Sequence, residues 1–307
     1  MEQNLSNVRP ISVVAEEAIN YIKGRREHDI VSLKTRWNKF NKQCMGGIEP
    51  NTVITIAGIS GSGKSSFVNT MTTDLIDLNP TEEIVILNFS LEMVGFRQVG
   101  RTLSNKLRKT TSTLYSSETD LDDDTFRKVV TVSNQLKKYP IYFVDNPETP
   151  QQVKETIYNF YEKYVKGTNK HFVITYDHTL LTKQTGSVLE TTAELERVFI
   201  QAKKLPMTSV IQIAQMNRNI EASERINNPS SHYPMRSDLS SSDAMFQASD
   251  YVLVMHRPEI LNIQEYGPNR LPTNNKVYMH MLKNRDAGKP CILEFENDLM
   301  FNNLVER

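Results

Sequence analysis

Short runs of apolar, mostly β-branched residues recur along the chain, at 53–57, 84–89, 141–144, 172–176, 210–214, 251–255, 277–282 and 291–295. Within most of these runs the apolar residues are continuous, the pattern of strands covered on both faces. Between the earlier runs lie helix-like stretches at 66–78, 91–107, 125–138, 151–165 and 191–204. Strands and helices alternating in this order predict an α/β fold: a mostly parallel central sheet, right-handed crossovers and helices on its flanks. Nothing helical separates the last two runs, so they are expected to close the chain as an antiparallel β-hairpin. There is no internal repeat and no low-complexity tract.

The first residues follow a different pattern. Val14, Ala18, Ile19 and Ile22 form an apolar stripe at helical spacing, and Gly24-Arg-Arg-Glu-His-Asp29 then breaks it. This divides the chain into an arm, residues 1–31, and a body, residues 32–307. A stripe names no partner, so two readings stay open: a helix packed on its own body, or a linker docked on a neighbouring subunit. The acidic stretch Ser117-Glu-Thr-Asp-Leu-Asp-Asp-Asp124 reads as a helix start, with Asp122–Asp124 at the positive end of the dipole and Lys137 and Lys138 at the other. It lacks the turn glycine and interleaved ligands of a calcium loop.

Composition narrows the class. With 38% hydrophobic and 23% charged residues the chain is globular. Its longest unbroken apolar run, Tyr251 to Met255, is five residues, against about 20 for a membrane helix. No charged-then-apolar signal opens the chain, so a cytoplasmic protein is expected. Cys44 and Cys291 match no metal or redox spacing and read as reduced thiols. The six histidines form no zinc pattern. The 36 Lys+Arg balance 36 Asp+Glu, which argues against a broadly basic nucleic-acid binder but leaves room for a local basic surface.

The strongest chemical signal is Gly58-Ile-Ser-Gly-Ser-Gly-Lys-Ser65, which satisfies G-x-x-x-x-G-K-[ST] between a predicted strand and a predicted helix. Gly58, Gly61 and Gly63 let the backbone N–H groups of Ser60, Ser62 and their neighbours turn toward phosphate oxygens. The helix entry at Lys64, Ser65 and Ser66 adds a positive dipole end. Lys64 is expected on the β- and γ-phosphates of ATP, and the Ser65 hydroxyl on Mg²⁺. Further parts of an NTPase site fall at C-terminal ends of predicted strands, where open α/β sheets bind ligands. Glu92 could polarise the attacking water, although Ser90-Leu-Glu92 also suits an ordinary helix entry. Asp177 is the candidate second acid of the Mg²⁺ side, and Gln215 the candidate γ-phosphate sensor.

In this order the segments resemble the C-terminal motor domain of DnaB-type replicative helicases. Phe89-Ser-Leu-Glu-Met93 matches that family's FSLEM block, and Ile213-Ala-Gln-Met-Asn-Arg218 its LSQLNR block. Pro234-Met-Arg-Ser-Asp-Leu239, followed by Gln247, Asp250 and Met255-His-Arg257, is similar to the family's Ser-Asp-Leu region, and Leu282-Lys-Asn-Arg-Asp-Ala-Gly288 resembles KQRNG. The chain departs from the pattern at Tyr176, where the family has an aliphatic residue, and at Ser240, Ser241, Asp243 and Phe246. Only the arm precedes the body where the family carries a collar domain, which leads us to expect a compact phage or mobile-element version in a host cytoplasm.

The resemblance implies a RecA-like P-loop fold and a hexameric ring moving 5′→3′ on single-stranded DNA. It implies that Lys283 and Arg285 reach a neighbour's nucleotide, and that primase or a helicase loader is a further partner. Residues 217–242, expected to be long, polar and unstructured, would face the ring channel with Arg218, Arg225 and Arg236. Lys183, in Leu181-Thr-Lys-Gln-Thr-Gly-Ser187, belongs to a second channel loop. A non-translocating RecA-like switch and a DNA-binding helicase accessory protein are the competing readings.

Overall fold

The computed structural model describes residues 8–239, 242–285 and 288–307. The start of the arm, Ser240 and Ser241 of the Ser-Asp-Leu region, and Asp286 and Ala287 of the last block lie outside the described residues.

Each predicted apolar run is a strand: β1 Val53–Gly58, β2 Ile84–Ser90, β3 Ile141–Val144, β4 His171–Asp177, β5 Thr208–Gln215 and β6 Tyr251–His256, then, after two-residue β7 Glu265–Tyr266 and β8 Leu271–Pro272, β9 Lys276–Asn284 and β10 Cys291–Asp298. A further strand, β11 Asn303–Glu306, ends the chain. The main sheet runs β11-β10-β9-β6-β1-β5-β4-β2-β3. From β6 to β3 it is parallel, and from β6 to β11 antiparallel. The expected C-terminal hairpin is therefore real but extended by β11, and it continues the main sheet through β9. β1, β2, β4 and β6 are buried along their whole length, which explains their unbroken apolar sequence.

The helices are α1 Ile11–Glu27, α2 Asn38–Gln43, α3 Lys64–Asp77, α4 Gly95–Leu107, α5 Thr111–Tyr115, α6 Asp123–Leu136, α7 Pro150–Tyr164, α8 Val188–Ala202, α9 Ser223–Ile226 and α10 Ser242–Ala248. One core lies against α2 and α3, where Trp37 stacks on Phe67 at 4.0 Å and donates its indole N–H to the Leu304 carbonyl. A second lies under α7 and α8. The carboxylate of Asp122 caps α6 by accepting from the Thr125 N–H at 2.8 Å, as its sequence suggested.

Two local expectations need correction. The helix foreseen from residue 91 starts at Gly95, because residues 91–94 form a turn that leaves β2. The Leu91 and Glu92 N–H groups donate there to the Asp177 carbonyl, at 2.9 and 3.3 Å. Residues 217–239 are not unstructured: Met216 bridges Leu239, Asn217 N–H donates to the Asp238 carbonyl at 2.7 Å, and Ile220 and Leu239 are buried. The segment is a packed loop closed at its base.

In α1 only Gly24 is buried, and Val14, Ile19 and Ile22 are exposed by 41%, 66% and 66%. The stripe is thus uncovered by the body, which the arm touches through Tyr21–Glu49 and Arg25–Ser32 hydrogen bonds. No helix among the described residues is long and apolar enough to cross a membrane.

Candidate nucleotide site

The phosphate loop leaves β1 at Gly58 and enters α3 at Lys64. Gly61 and Gly63 have φ of 76° and 97°, the left-handed region that glycine enters without strain. At Gly58 the reason is space: a Cβ would lie 2.5 Å from Ser62 Oγ and 2.6 Å from the Met255 carbonyl. Ser62 is fully buried, and its hydroxyl has no partner.

The Lys64 ammonium donates to the Ile59 carbonyl at 2.8 Å. Burial lowers its pKa to about 8, against the pull of the Asp177 and Glu92 carboxylates. Burial raises the Asp177 pKa, opposed by a hydrogen bond from the Ser65 hydroxyl and by His178 and Lys64, while Glu92 adds to the rise. The Asp177 Oδ1 atom is buried without a partner. One hydroxyl and one carboxylate with a free oxygen form a hard-oxygen donor set suited to Mg²⁺, which keeps most of its shell for water and phosphate. Ser65 and Asp177 therefore fit the metal they were expected to hold.

A cavity of about 360 Å³ opens over this loop. Of the expected site residues, Ser60, Gly61, Gly63, Lys64, Ser65, Ser66, Glu92 and Gln215 line it. Gly58 and Ser62 lie in the loop itself, and Asp177 is reached through Ser65. Glu92 stands in the turn after β2, its side chain 52% exposed, and Gln215 ends β5. The imidazole of His178, next to Asp177, has its Nε2 4.0 Å from Glu92 Oε2. Burial keeps its pKa below the usual range despite both carboxylates.

The wall also contains Arg101, Arg257, Leu299 and Asn302, which the sequence reading did not place in the site. Arg257 had a signal, since it follows the C-terminal end of β6, beside β1. Arg101 lies on α4, the helix that follows Glu92's turn, whereas Leu299 and Asn302 arrive through antiparallel pairing that no local pattern announces.

The remaining expected residues lie elsewhere. Lys283 donates to the Phe246 carbonyl, and Arg285 pairs with Asp250 at 2.9 Å and donates to the Gln247 carbonyl at 3.1 Å. Both cap the end of α10, and neither lines the cavity of its own chain. Lys183 and Arg218 are exposed. Arg236 pairs with Asp243 and lies over the Phe246 ring. Arg225 departs from expectation: its side chain is 13% exposed, pairs with buried Asp238 and donates to the Ser231 and Tyr233 carbonyls. It holds the loop together from inside and does not present charge outward.

Fold and cavity together define a RecA-like P-loop nucleotide-binding domain. Residues 32–302 match the DnaB-like helicase C terminal domain family, and the chain belongs to it. It is 27% identical over 236 residues to the replicative DNA helicase DnaB of Buchnera aphidicola subsp. Schizaphis graminum, covering 75% of this chain and 47% of that protein. It is 28% identical over 250 residues to the DnaB of Mycoplasma genitalium, covering 79% and 50%. The chain thus spans about half the length of these curated relatives. Among solved structures, an ATPase domain superposes with a TM-score of 0.77 at 17% identity, covering 95% of this chain and 98% of that one. A DnaB-like replicative helicase, described with its interactions with primase, gives 0.75 at 16%, covering 94% and 66%. These two likenesses establish the fold.

Proposed function

We propose that this chain is an ATP-driven helicase or translocase on single-stranded DNA, working in replication as a ring-shaped oligomer, a hexamer. One observation carries the reading: Lys64, Ser65, Glu92 and Gln215, from three separate sequence blocks, converge on one cavity, with Asp177 bonded beneath it. Membership of the DnaB-like family supports the same conclusion.

In this reading Lys64 and the loop N–H groups bind the ATP phosphates. Ser65 and Asp177 hold Mg²⁺, which when bound offsets charge on the β- and γ-oxygens. Glu92 takes the proton of the attacking water. The water oxygen bonds to the γ-phosphorus, the bond to the ADP bridging oxygen breaks, and ADP leaves with that electron pair. Gln215 senses the γ-phosphate and passes its presence to the loop at 217–239. Arg101 adds positive charge to the wall, while the charge of Arg257 is paired with Glu259. Lys283 and Arg285 serve the neighbour's nucleotide, a contribution worth roughly 10³–10⁵ in rate for such fingers.

The ring is assembled with the arm, residues 1–31, docked on the next subunit's body, residues 32–307, a reading supported by the uncovered stripe on α1. Lys183, Arg218 and Arg236 face single-stranded DNA in the channel. Primase or a helicase loader completes the set of partners, and the setting is the cytoplasm, that of a host if the chain is phage-encoded.

The test is ATPase and fork-unwinding measurement with and without single-stranded DNA, alongside particle size with a non-hydrolysable ATP analogue. DNA-stimulated turnover, unwinding and an ATP-promoted oligomer are expected. Full turnover by a monomer would remove the neighbour's arginine, and turnover indifferent to DNA would leave a non-translocating switch.

A further inference from the structure

At the end of β4, three consecutive residues each bury a polar atom without a partner: Asp177 Oδ1, His178 Nδ1 and Thr179 Oγ1. The metal role accounts for Asp177. His178 has a different setting. Its side chain is 10% exposed, and Nε2 stands 4.0 Å from the Glu92 carboxylate. The backbones carrying the two residues are stapled together, because the carbonyl between Asp177 and His178 accepts from both Leu91 and Glu92 N–H groups. Among the described residues, no group donates a hydrogen bond to the Glu92 carboxylate at normal distance, and its side chain is half exposed.

An unbonded ring nitrogen alone does not set His178 apart, since buried His171 and His256 each leave Nε2 without a hydrogen bond. What distinguishes His178 is that the carboxylate beside its ring lines the nucleotide cavity. Buried His232 uses both ring nitrogens: Nε2 bonds the Ile226 carbonyl at 2.8 Å, and Nδ1 meets the Gly267 N–H at 3.0 Å. His178 satisfies neither in this way. A neutral imidazole carries one N–H. Nδ1 faces no acceptor, whereas Nε2 faces a carboxylate, so the proton belongs on Nε2. Hydrogen bonds among catalytic groups are often long before substrate arrives and tighten in the reacting complex.

We propose that His178 is a positioning residue for ATP hydrolysis, its Nε2–H holding the Glu92 carboxylate in the direction of the attacking water. The inference rests on the reading of Glu92 as the base. Glu92 still takes the water's proton, and His178 keeps its own. A carboxylate free to swing away loses the alignment on which proton removal depends, and a misplacement of about 1 Å can cost 10²-fold.

The test compares wild type, His178→Ala, His178→Gln, Glu92→Gln and the His178→Ala/Glu92→Gln double variant. The readouts are single-turnover and steady-state ATPase, affinity for a non-hydrolysable ATP analogue, and thermal unfolding. His178→Ala should lower kcat roughly 10- to 100-fold, with KM and analogue affinity within about twofold. His178→Gln, which can still donate an N–H, should recover part of the loss. In the Glu92→Gln background, His178→Ala should cost nothing more, because a positioning residue has nothing left to position. Unchanged kcat would overturn the proposal, as would analogue affinity falling in step with kcat or an equal loss in the double variant. If His178→Ala unfolds, His178→Phe fills the same space without an N–H and carries the comparison with His178→Gln. A wild-type protein with no ATPase would instead remove the reading beneath the proposal.

Discussion

The nucleotide cavity and the loop at 217–239 are both polar, both follow strands of the parallel sheet, and both were expected to bind phosphate. They differ in where their polar groups point. Around the cavity, rigid groups are left without protein partners: Ser62 Oγ and Asp177 Oδ1 are buried and unbonded. In the loop, the buried charge is committed internally. Arg225 is locked to Asp238 inside the loop, whereas Arg236 meets Asp243 of α10 only in an exposed surface pair. A site prepared for a ligand keeps buried polar atoms unsatisfied at a cost in stability, while a loop that satisfies itself is a scaffold offering a few outward groups. In the proposed function the cavity is a ligand site within one chain, and the loop is a shaped surface whose affinity for DNA would depend on several copies acting together.

The largest effects should come from breaking the cavity. Glu92→Gln is expected to reduce ATP turnover by roughly 10²–10⁴ while analogue binding survives, as single-turnover assays and titration would show. Unchanged turnover would take Glu92 out of its role. Lys64→Ala should lose roughly 10²–10³ in turnover and lose nucleotide affinity as well, because that ammonium sits among the phosphate-facing groups. Equal nucleotide affinity in wild type and Lys64→Ala would erase the distinction between a ligand site and a scaffold.

Breaking the loop should act on stability first. Arg225→Ala leaves the Asp238 carboxylate, 2% exposed, without its charge partner, at a cost of about 3–5 kcal/mol. Hydrogen exchange should show the cost confined to residues 217–239, with basal ATPase retained. A loss of DNA binding without any loosening of the loop would restore Arg225 as a direct contact. A smaller effect is expected at exposed Arg218. Its change to Ala should weaken binding evenly across DNA sequences and lower the salt slope by about 1, measured by titration at several salt concentrations.

The two regions were also unequally legible. Parallel strands buried on both faces leave unbroken apolar runs, so the sheet could be read directly. The phosphate loop was equally plain, because its conformation demands glycine at fixed positions. β11 was missed because Leu304 and Val305 are its only apolar residues. Leu299 and Asn302 reach the cavity only through that antiparallel extension. The 217–239 segment looked unstructured because its order comes from polar bonds at longer sequence separation. Nothing in the charge pattern distinguishes an arginine bonded to Asp238 from one in solvent. The same limit explains His178, whose role depends on a turn from another strand.

The smallest effect on either function is expected at the group that joins the two regions. Gln212, on β5 before Gln215, donates to Thr55 on β1 at 3.0 Å and to Glu196 on α8 at 3.1 Å. Thr55 in turn bonds Ser249 at 2.6 Å. Glu196 Oε1 and Gln212 Oε1 are buried without partners, and an ionised Glu196 offers no donor to satisfy either oxygen. Burial raises the Glu196 pKa from 4.5 to about 8. The folded chain then keeps a proton that the unfolded chain releases, so stability declines as pH rises from about 4.5 to about 8 and levels off above. Glu196→Gln, a neutral side chain of the same shape, removes that slope. Thermal unfolding should show the variant gaining on wild type between about pH 5 and pH 8, with ATPase and DNA binding little changed. Parallel pH profiles for the two proteins would mean that Glu196 is ionised in the folded chain, and that the strands leading to the cavity and to the loop are joined across a buried charge.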